Sequence, residues 1–204
     1  LGANELPEGW RVYQFKDLVK HIRPWTNYQP ERVENWIPFV NGRNVKNWFL
    51  DLSDVKYITE EEYKRVHNSW IPEENDILIT RIWTLWNVWV INKEELPLAV
   101  HYNNIDIKCD ILAYQLIYFL LKSEHFLYFY HLRKKQAVQE YITIEDVESI
   151  PIILPIHLSE LKEKESMFIE LFDKIRDNYN QIQTLSKTRD ELLPKLMKGE
   201  VRVV

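Results

Sequence analysis

Asp76, Asp106 and Lys108 are the side chains whose types come nearest to a reactive set. Two carboxylates and an ammonium can hold a divalent cation and support phosphodiester hydrolysis. The spacing argues against it, because the second acid is missing from its place beside Asp106-Ile-Lys108. The six histidines stand at 21, 67, 101, 125, 131 and 157 with no pair four residues apart, so no helix face is expected to present two metal ligands. A methyl-transfer enzyme would need a glycine-rich cofactor loop and a polar-Pro-Pro-aromatic segment. With four glycines, at 2, 9, 42 and 199, the chain has neither. No catalytic residue and no metal site are expected.

Groups suited to nucleic acid are better represented. In Val40-Asn41-Gly42-Arg43-Asn44-Val45-Lys46-Asn47, the amides of Asn41 and Asn44 and the Arg43 guanidinium can pair with two atoms of a base edge, and Lys46 adds a cation for phosphate. The same residues also make an ordinary polar turn. Arg81 and Thr84 follow an expected strand, whose end would hand them to a groove, although Arg81 can equally pair with Glu73 or Glu74 on the surface. Arg133, Lys134 and Lys135 close a helix, where they meet phosphates or complete the helix dipole. Tyr28, in Thr26-Asn27-Tyr28-Gln29, reaches a backbone or base, or packs on its loop. A net charge of −5 argues against a surface that wraps nucleic acid everywhere. Acidic residues crowd into 60–62, 73–74, 94–95 and the C-terminal region, and basic ones into 43–46 and 133–135, so a local basic face remains open.

These groups need a scaffold. A chain of 204 residues, 46% hydrophobic and 13% aromatic, can build one globular domain plus a helix. The single Cys109 forms no internal disulfide, and no charged-then-apolar leader precedes the first expected strand, Trp10 to Phe15, so a cytoplasmic protein is expected. The apolar stretch Ile111 to Leu121 is broken by Gln115 and falls short of the ~20 residues that cross a bilayer. A short helix is expected at Lys16 to His21, and strands at Ile37 to Val40, Val55 to Ile58, Asp76 to Ile82 and Asn87 to Asn92. Thr59 before Glu60, Glu61 and Glu62 reads as a capped helix ending near His67. Further helices are expected at Asp110 to Leu121 and Glu124 to Lys135, and Pro151 and Pro155 bracket an extended Ile-Ile-Leu.

From about Leu158 the apolar residues Leu161, Phe168, Phe172, Ile175, Tyr179, Ile182, Leu185 and Leu192 fall near the alternating spacing of a helical seam. A helix that long projects from its domain or lies along another chain. The fold class expected is α+β: one globular domain with a mixed β-sheet and flanking helices over 1–155, then a long helix over 156–204 that pairs as a coiled coil.

Five segments, in their order and spacing, resemble the DNA specificity subunit of type I restriction-modification systems over nearly the whole chain. They are Leu6-Pro-Glu-Gly-Trp10, Ile37-Pro-Phe-Val-Asn-Gly-Arg-Asn44, Asn75-Asp-Ile-Leu-Ile-Thr-Arg81, Ile150-Pro-Ile-Ile-Leu-Pro155 and Arg189-Asp-Glu-Leu-Leu-Pro-Lys-Leu-Met-Lys-Gly-Glu200. The resemblance implies a target recognition domain and a spacer helix, reading one half of a bipartite site in double-stranded DNA. It implies a homodimer, or the second half of a two-domain subunit. It implies methyltransferase subunits as partners, bringing S-adenosylmethionine and flipping an adenine, and motor-nuclease subunits that cleave unmodified DNA. This chain itself would hold no cofactor and catalyse nothing. One departure stands out: after Thr80-Arg81 the family has Gly-x-x-Gly, and this chain has Trp83 and Trp86. Tryptophan does not cheaply adopt the positive φ of glycine, so either the loop is built differently or the indoles replace backbone contacts with packing.

Two other readings stay open. Eight tryptophans and the acidic charge suit a structural adaptor that dimerises through its helix and binds protein through aromatic surface. Asp76, Asp106 and Lys108 suit a metal-dependent nuclease that cuts DNA unaided.

Overall fold

In the computed structural model, which describes residues 6–24, 28–46, 49–67, 70–82, 86–135 and 140–200, the elements run in the order β1 (Trp10–Gln14), β2 (His21–Pro24), β3 (Ile37–Val40), β4 (Lys56–Ile58), α1 (Glu60–Val66), β5 (Ile77–Thr80), β6 (Val88–Val90), β7 (Ala99–Val100), β8 (Asn104–Lys108), α2 (Tyr114–Lys122), α3 (Glu124–Arg133), α4 (Ile144–Glu148), β9 (Pro151–Pro155) and α5 (Ser159–Met197). The α+β class expected from the sequence is the one observed, with sheets and a long C-terminal helix. The strands form three sheets among the described residues: β2-β8-β5-β6, β4-β3-β7 and β1-β9. Among the described strands only β3 and β7 pair in parallel, so the mixed character expected of the sheet is found there in the three-stranded one.

Alternation along the central strands assigns side chains to its two faces. Ile22, Ile77, Ile79, Val88, Val90, Ile105 and Ile107 enter the main core, with Leu116, Ile117 and Leu121 of α2, Phe126 and Tyr130 of α3, and Phe172 of α5. Leu78 and Trp89, on the alternate positions, pack with Val40 and Val100 of the three-stranded sheet. That sheet's other face carries Phe39 and Ile58 against Val66 of α1. Thr59 caps α1 by accepting from the Glu62 backbone N–H at 3.2 Å, ahead of three acids in its first turn.

Several elements differ from the sequence expectation. The short helix expected at Lys16 to His21 is a 3-10 turn over Phe15–Leu18, and His21 already begins β2, paired with Lys108 while Arg23 pairs with Asp106. The expected helix from Asp110 begins at Tyr114, where Ala113 offers no side-chain cap. Its N–H instead donates to Glu165 of α5 at 2.8 Å, so one helix supplies the anion at the start of another. Pro151–Pro155 is extended as expected, and it pairs along its length with β1. A two-stranded sheet has only edge strands, where a missing N–H is tolerated. Strands β2, β7 and β8 and helix α4 were not anticipated.

Trp86 does take the positive φ that tryptophan does not cheaply adopt, at +77°. Its indole is buried, with ring centroids 4.9 Å from Phe126 and 4.1 Å from Tyr130. Burial of a large ring outweighs a left-handed strain of about 1–3 kcal/mol. Trp83 lies outside the described residues, as do Trp25 and Trp48, two further tryptophans at positions where a glycine is expected in a turn or tight strand.

Helix α5 has 39 residues, about 58 Å at 1.5 Å per residue. Gly199 closes it at φ +71°, and its N–H donates to the Leu196 carbonyl at 3.0 Å.

Candidate nucleic-acid interface

Beyond β3 the chain turns back on itself through local hydrogen bonds. Asn41 N–H donates to Asn44 Oδ1 at 3.1 Å, and Arg43 N–H donates to Asn41 Oδ1 at 2.9 Å. Asn44 Nδ2 donates across the hairpin to the Asp51 carbonyl at 2.9 Å, and Asp51 N–H returns a bond to the Asn44 carbonyl at 2.7 Å. Asn44 is therefore only 3% exposed, with both ends of its amide engaged in holding the loop. Arg43 stays exposed in the turn between β3 and the hairpin legs.

This turn forms one wall of a cavity of about 330 Å³ bounded by Arg32, Phe39, Asn41, Gly42, Arg43, Lys56, Ile82, His101 and Asn103. Three are cations, and none of the described lining residues carries a carboxylate. Asp54, outside the lining, meets Arg43 at 3.3 Å and Lys56 at 3.7 Å with side chains roughly half exposed or more. Such surface pairs contribute at most about 1 kcal/mol, so a phosphate can displace the carboxylate. Burial and the nearby Arg32 charge lower the His101 pKa to about 4, which leaves its imidazole neutral near pH 7. The Asn103 backbone N–H donates to His101 Nδ1 at 3.3 Å, Gln29 stands 3.0 Å from Nε2, and Phe39 packs edge-on at 5.4 Å. Cations, amides and a neutral imidazole around a concavity suit phosphate and base edges.

Of the residues singled out from the sequence, Asn41 and Arg43 line this cavity. Lys46 lies on the outgoing leg of the hairpin, its N–H donating across to the Phe49 carbonyl at 2.9 Å. Tyr28 donates to Glu62 Oε2 at 2.8 Å, beside Gln29. Arg81 is half-buried and spends its Nε–H on the Tyr102 carbonyl at 2.8 Å, not on Glu73 or Glu74. Thr84 lies outside the described residues. Arg133 ties α3 to α4 through the Asp146 carbonyl at 2.8 Å and Ser149 Oγ at 2.7 Å, while Lys134 pairs with Glu140 and Lys135 with Asp146. None of these last three lines the cavity. Sequence reasoning missed Arg32, Lys56, His101 and Asn103. The signal for the last two was the alternation Asn104-Ile-Asp-Ile-Lys108, a period-2 strand that would have marked His101 to Asn103 as its turn.

The other candidate set comes together at one end of the β5–β8 pair, where the Asp76, Asp106 and Lys108 charges act on one another, but it does not open as a site. Asp106 is fully buried and Asp76 nearly so. Asp76 and Lys108 border a cleft with Cys109 and Tyr114 that Asp106 does not line. Asp76 Oδ2 accepts from the Glu73 N–H at 2.9 Å, and Lys108 is paired with Glu73. Burial raises the Asp76 pKa to about 6, and burial together with the Asp76 charge raises Asp106 further from its usual value. No group of three acids, histidines or cysteines suited to a metal occurs among the described residues.

Along α5 the seam divides. Phe168 lies 5.8 Å from Phe119, and Phe172 sits at 5.6 and 5.1 Å from Tyr114 and Tyr118 of α2. Leu161 packs on the same core, and Ile175 and Tyr179 continue the contact toward Trp89. Ile182, Leu185 and Leu192 are exposed, at 58%, 68% and 40%.

Comparison with known proteins gives this arrangement a context. The chain is 29% identical to the type I restriction enzyme MjaIX specificity subunit of Methanocaldococcus jannaschii, over 98% of this chain and 46% of that protein. It thus spans about half the length of that curated relative. The crystal structure of the type I restriction-modification S subunit from M. genitalium shares the fold, with a TM-score of 0.61 at 17% identity, covering 96% of this chain and 47% of that one. The HsdS subunit of Thermoanaerobacter tengcongensis matches with a TM-score of 0.51 at 19% identity, covering 98% and 47%. Residues 7–186 match the sequence model of the type I restriction modification DNA specificity domain, and the chain belongs to that family.

Proposed function

We propose that this chain is a non-catalytic recognition module that reads one half of a bipartite site in double-stranded DNA. The observation that carries the reading is the cavity beside the Asn41–Lys46 hairpin, whose described lining holds Arg32, Arg43 and Lys56 and no acid. Residues 1–155 would form the target recognition domain and 156–204 the spacer. The exposed apolar residues of the outer half of α5 would pair with a second helix. That helix comes from another copy of this chain or from the other half of a longer subunit. Methyltransferase subunits would dock on this frame and bring S-adenosylmethionine with them, and motor-nuclease subunits would act on unmodified DNA. Phosphate contacts would supply most of the affinity, and each wrong base pair would cost about 1–3 kcal/mol.

The test is to incubate the chain with the neighbouring methyltransferase subunit, S-adenosylmethionine and random-sequence DNA, then to sequence methylated adenines. Marks at a symmetric two-part motif identify a pair of identical copies, and marks at an asymmetric motif identify a different second half. Absence of marks, with no salt-dependent DNA binding, would overturn the reading in favour of a protein-binding adaptor.

A further inference from the structure

We infer that α5 takes part in DNA reading through Tyr179 and Phe49, which act as positioning residues for the hairpin that carries Asn41 and Arg43. The inference rests on the DNA-reading role proposed above. The hairpin has little to hold it by itself. Its legs share one isolated bridge, Val45 to Leu50, and so short a ribbon is marginal in water. Val45 and Leu50 are buried against Leu78, Trp89 and Ile91, and two directed contacts orient the hairpin further. Asn87 Nδ2 donates to the Val45 carbonyl at 2.7 Å, fixing it to the central sheet. On the return leg, the Phe49 ring stacks on Tyr179 of α5 with centroids 5.6 Å apart and planes 17° from parallel.

The stack is itself held in place. Trp89 stands edge-on to the Tyr179 ring at 6.1 Å, and its indole N–H donates to Glu95 Oε2 at 2.9 Å. Tyr179 lies where α5 leaves the body, since Ile182 and Leu185 beyond it are exposed. A tilt of the projecting helix therefore acts first on Phe49. Asn44 transmits that movement, because its amide spans both legs and accepts from the Asn41 N–H. The ring pair thus links the helix expected to set half-site spacing to the loop expected to contact DNA, and the binding of one biases the other.

The experiment uses the full chain with Tyr179→Ala, Tyr179→Phe and Phe49→Leu. Amide hydrogen exchange is followed at Asn44, Lys46 and Asp51, whose N–H groups bond within the hairpin. Faster exchange at these amides in Tyr179→Ala, with β5 and β8 unchanged and Tyr179→Phe like the wild type, supports the brace. In parallel, the wild-type chain enriches duplexes from a random-sequence pool, and each variant is titrated with the enriched duplex and a scrambled one. Tyr179→Ala is expected to weaken binding to the enriched duplex about fivefold, with less than about twofold change on the scrambled one and recovery in Tyr179→Phe. Unchanged exchange and unchanged discrimination in Tyr179→Ala overturn the inference. Failure of the wild type to enrich any duplex overturns the DNA-reading role, while the exchange data still decide the brace. Should Tyr179→Ala not fold, Phe49→Leu tests the same stack from the hairpin side.

Discussion

The two layers packed against the central sheet differ in kind. Toward α2, α3 and α5 the sheet presents Ile77, Ile79, Ile105 and Ile107, which meet aromatic rings in a continuous apolar core. Toward the three-stranded sheet the alternate positions of β5 and β8 and the residue before β5 present Asp76, Thr80, Asn104 and Asp106, all buried. A polar face on an antiparallel strand ordinarily meets water; here a second sheet covers it. Some of its polar atoms are well used: Thr80 Oγ1 accepts from the Asn87 N–H at 2.9 Å, and Asn104 Nδ2 donates to the Val40 carbonyl at 3.4 Å, joining the two sheets. Others, including both Asp106 oxygens, have no hydrogen-bond partner among the described residues. The first layer is apolar throughout, whereas the second sets these buried polar groups beside a smaller apolar cluster of Leu78, Trp89, Val40 and Val100.

The contrast can be broken most severely in the apolar layer. Phe172→Ala should lower unfolding free energy by about 3–5 kcal/mol in urea titration, as expected for a buried ring; a loss under about 1 kcal/mol would mean that α5 is no part of that core. Trp86→Gly should cost about 2 kcal/mol, because relief of strain at φ +77° recovers less than the buried indole contributes. A stabilised variant would reverse that ordering.

The polar layer should respond to pH instead. Asp106 is raised above 3.8 in the folded chain, so the folded form keeps a proton that the unfolded form releases, and stability falls as pH rises above about 4. Asp76, raised to about 6, acts in the same direction between about 4 and 6. His67 and His101, lowered to about 4 with burial as the main cause, act oppositely and lose stability as pH falls from 6.5 through 4. Asp106→Asn isolates one contribution: its advantage over wild type should grow as pH rises above about 4, by up to about 1.4 kcal/mol per pH unit. An advantage independent of pH would refute the assignment. The smallest effect on folding is expected at the rim of the cavity. Arg43→Ala should change stability by less than about 0.5 kcal/mol, yet reduce the salt slope of DNA binding by about one.

Sequence patterns legible at short range survive folding. The Thr59 cap before three glutamates, the strand Ile37 to Val40 and the long seam of α5 each depend on residues a few positions apart. Asn41 and Arg43 were recognisable because amides and a guanidinium cluster within one loop. Arg32, Lys56 and His101 were not, because chain distance says nothing about which loops meet.

The sequence by itself therefore determined the class of fold, the family and one wall of the candidate site, since capping, periodicity and local motifs are set by neighbouring residues. Tertiary structure alone decided that Asp106 is buried, that α2 is the partner of the seam's inner half, and that Arg32, Lys56, His101 and Asn103 complete the cavity. Each of these follows from pairing between segments distant in the chain, where the free energy of burying whole faces, and not any local preference, selects which side chains meet.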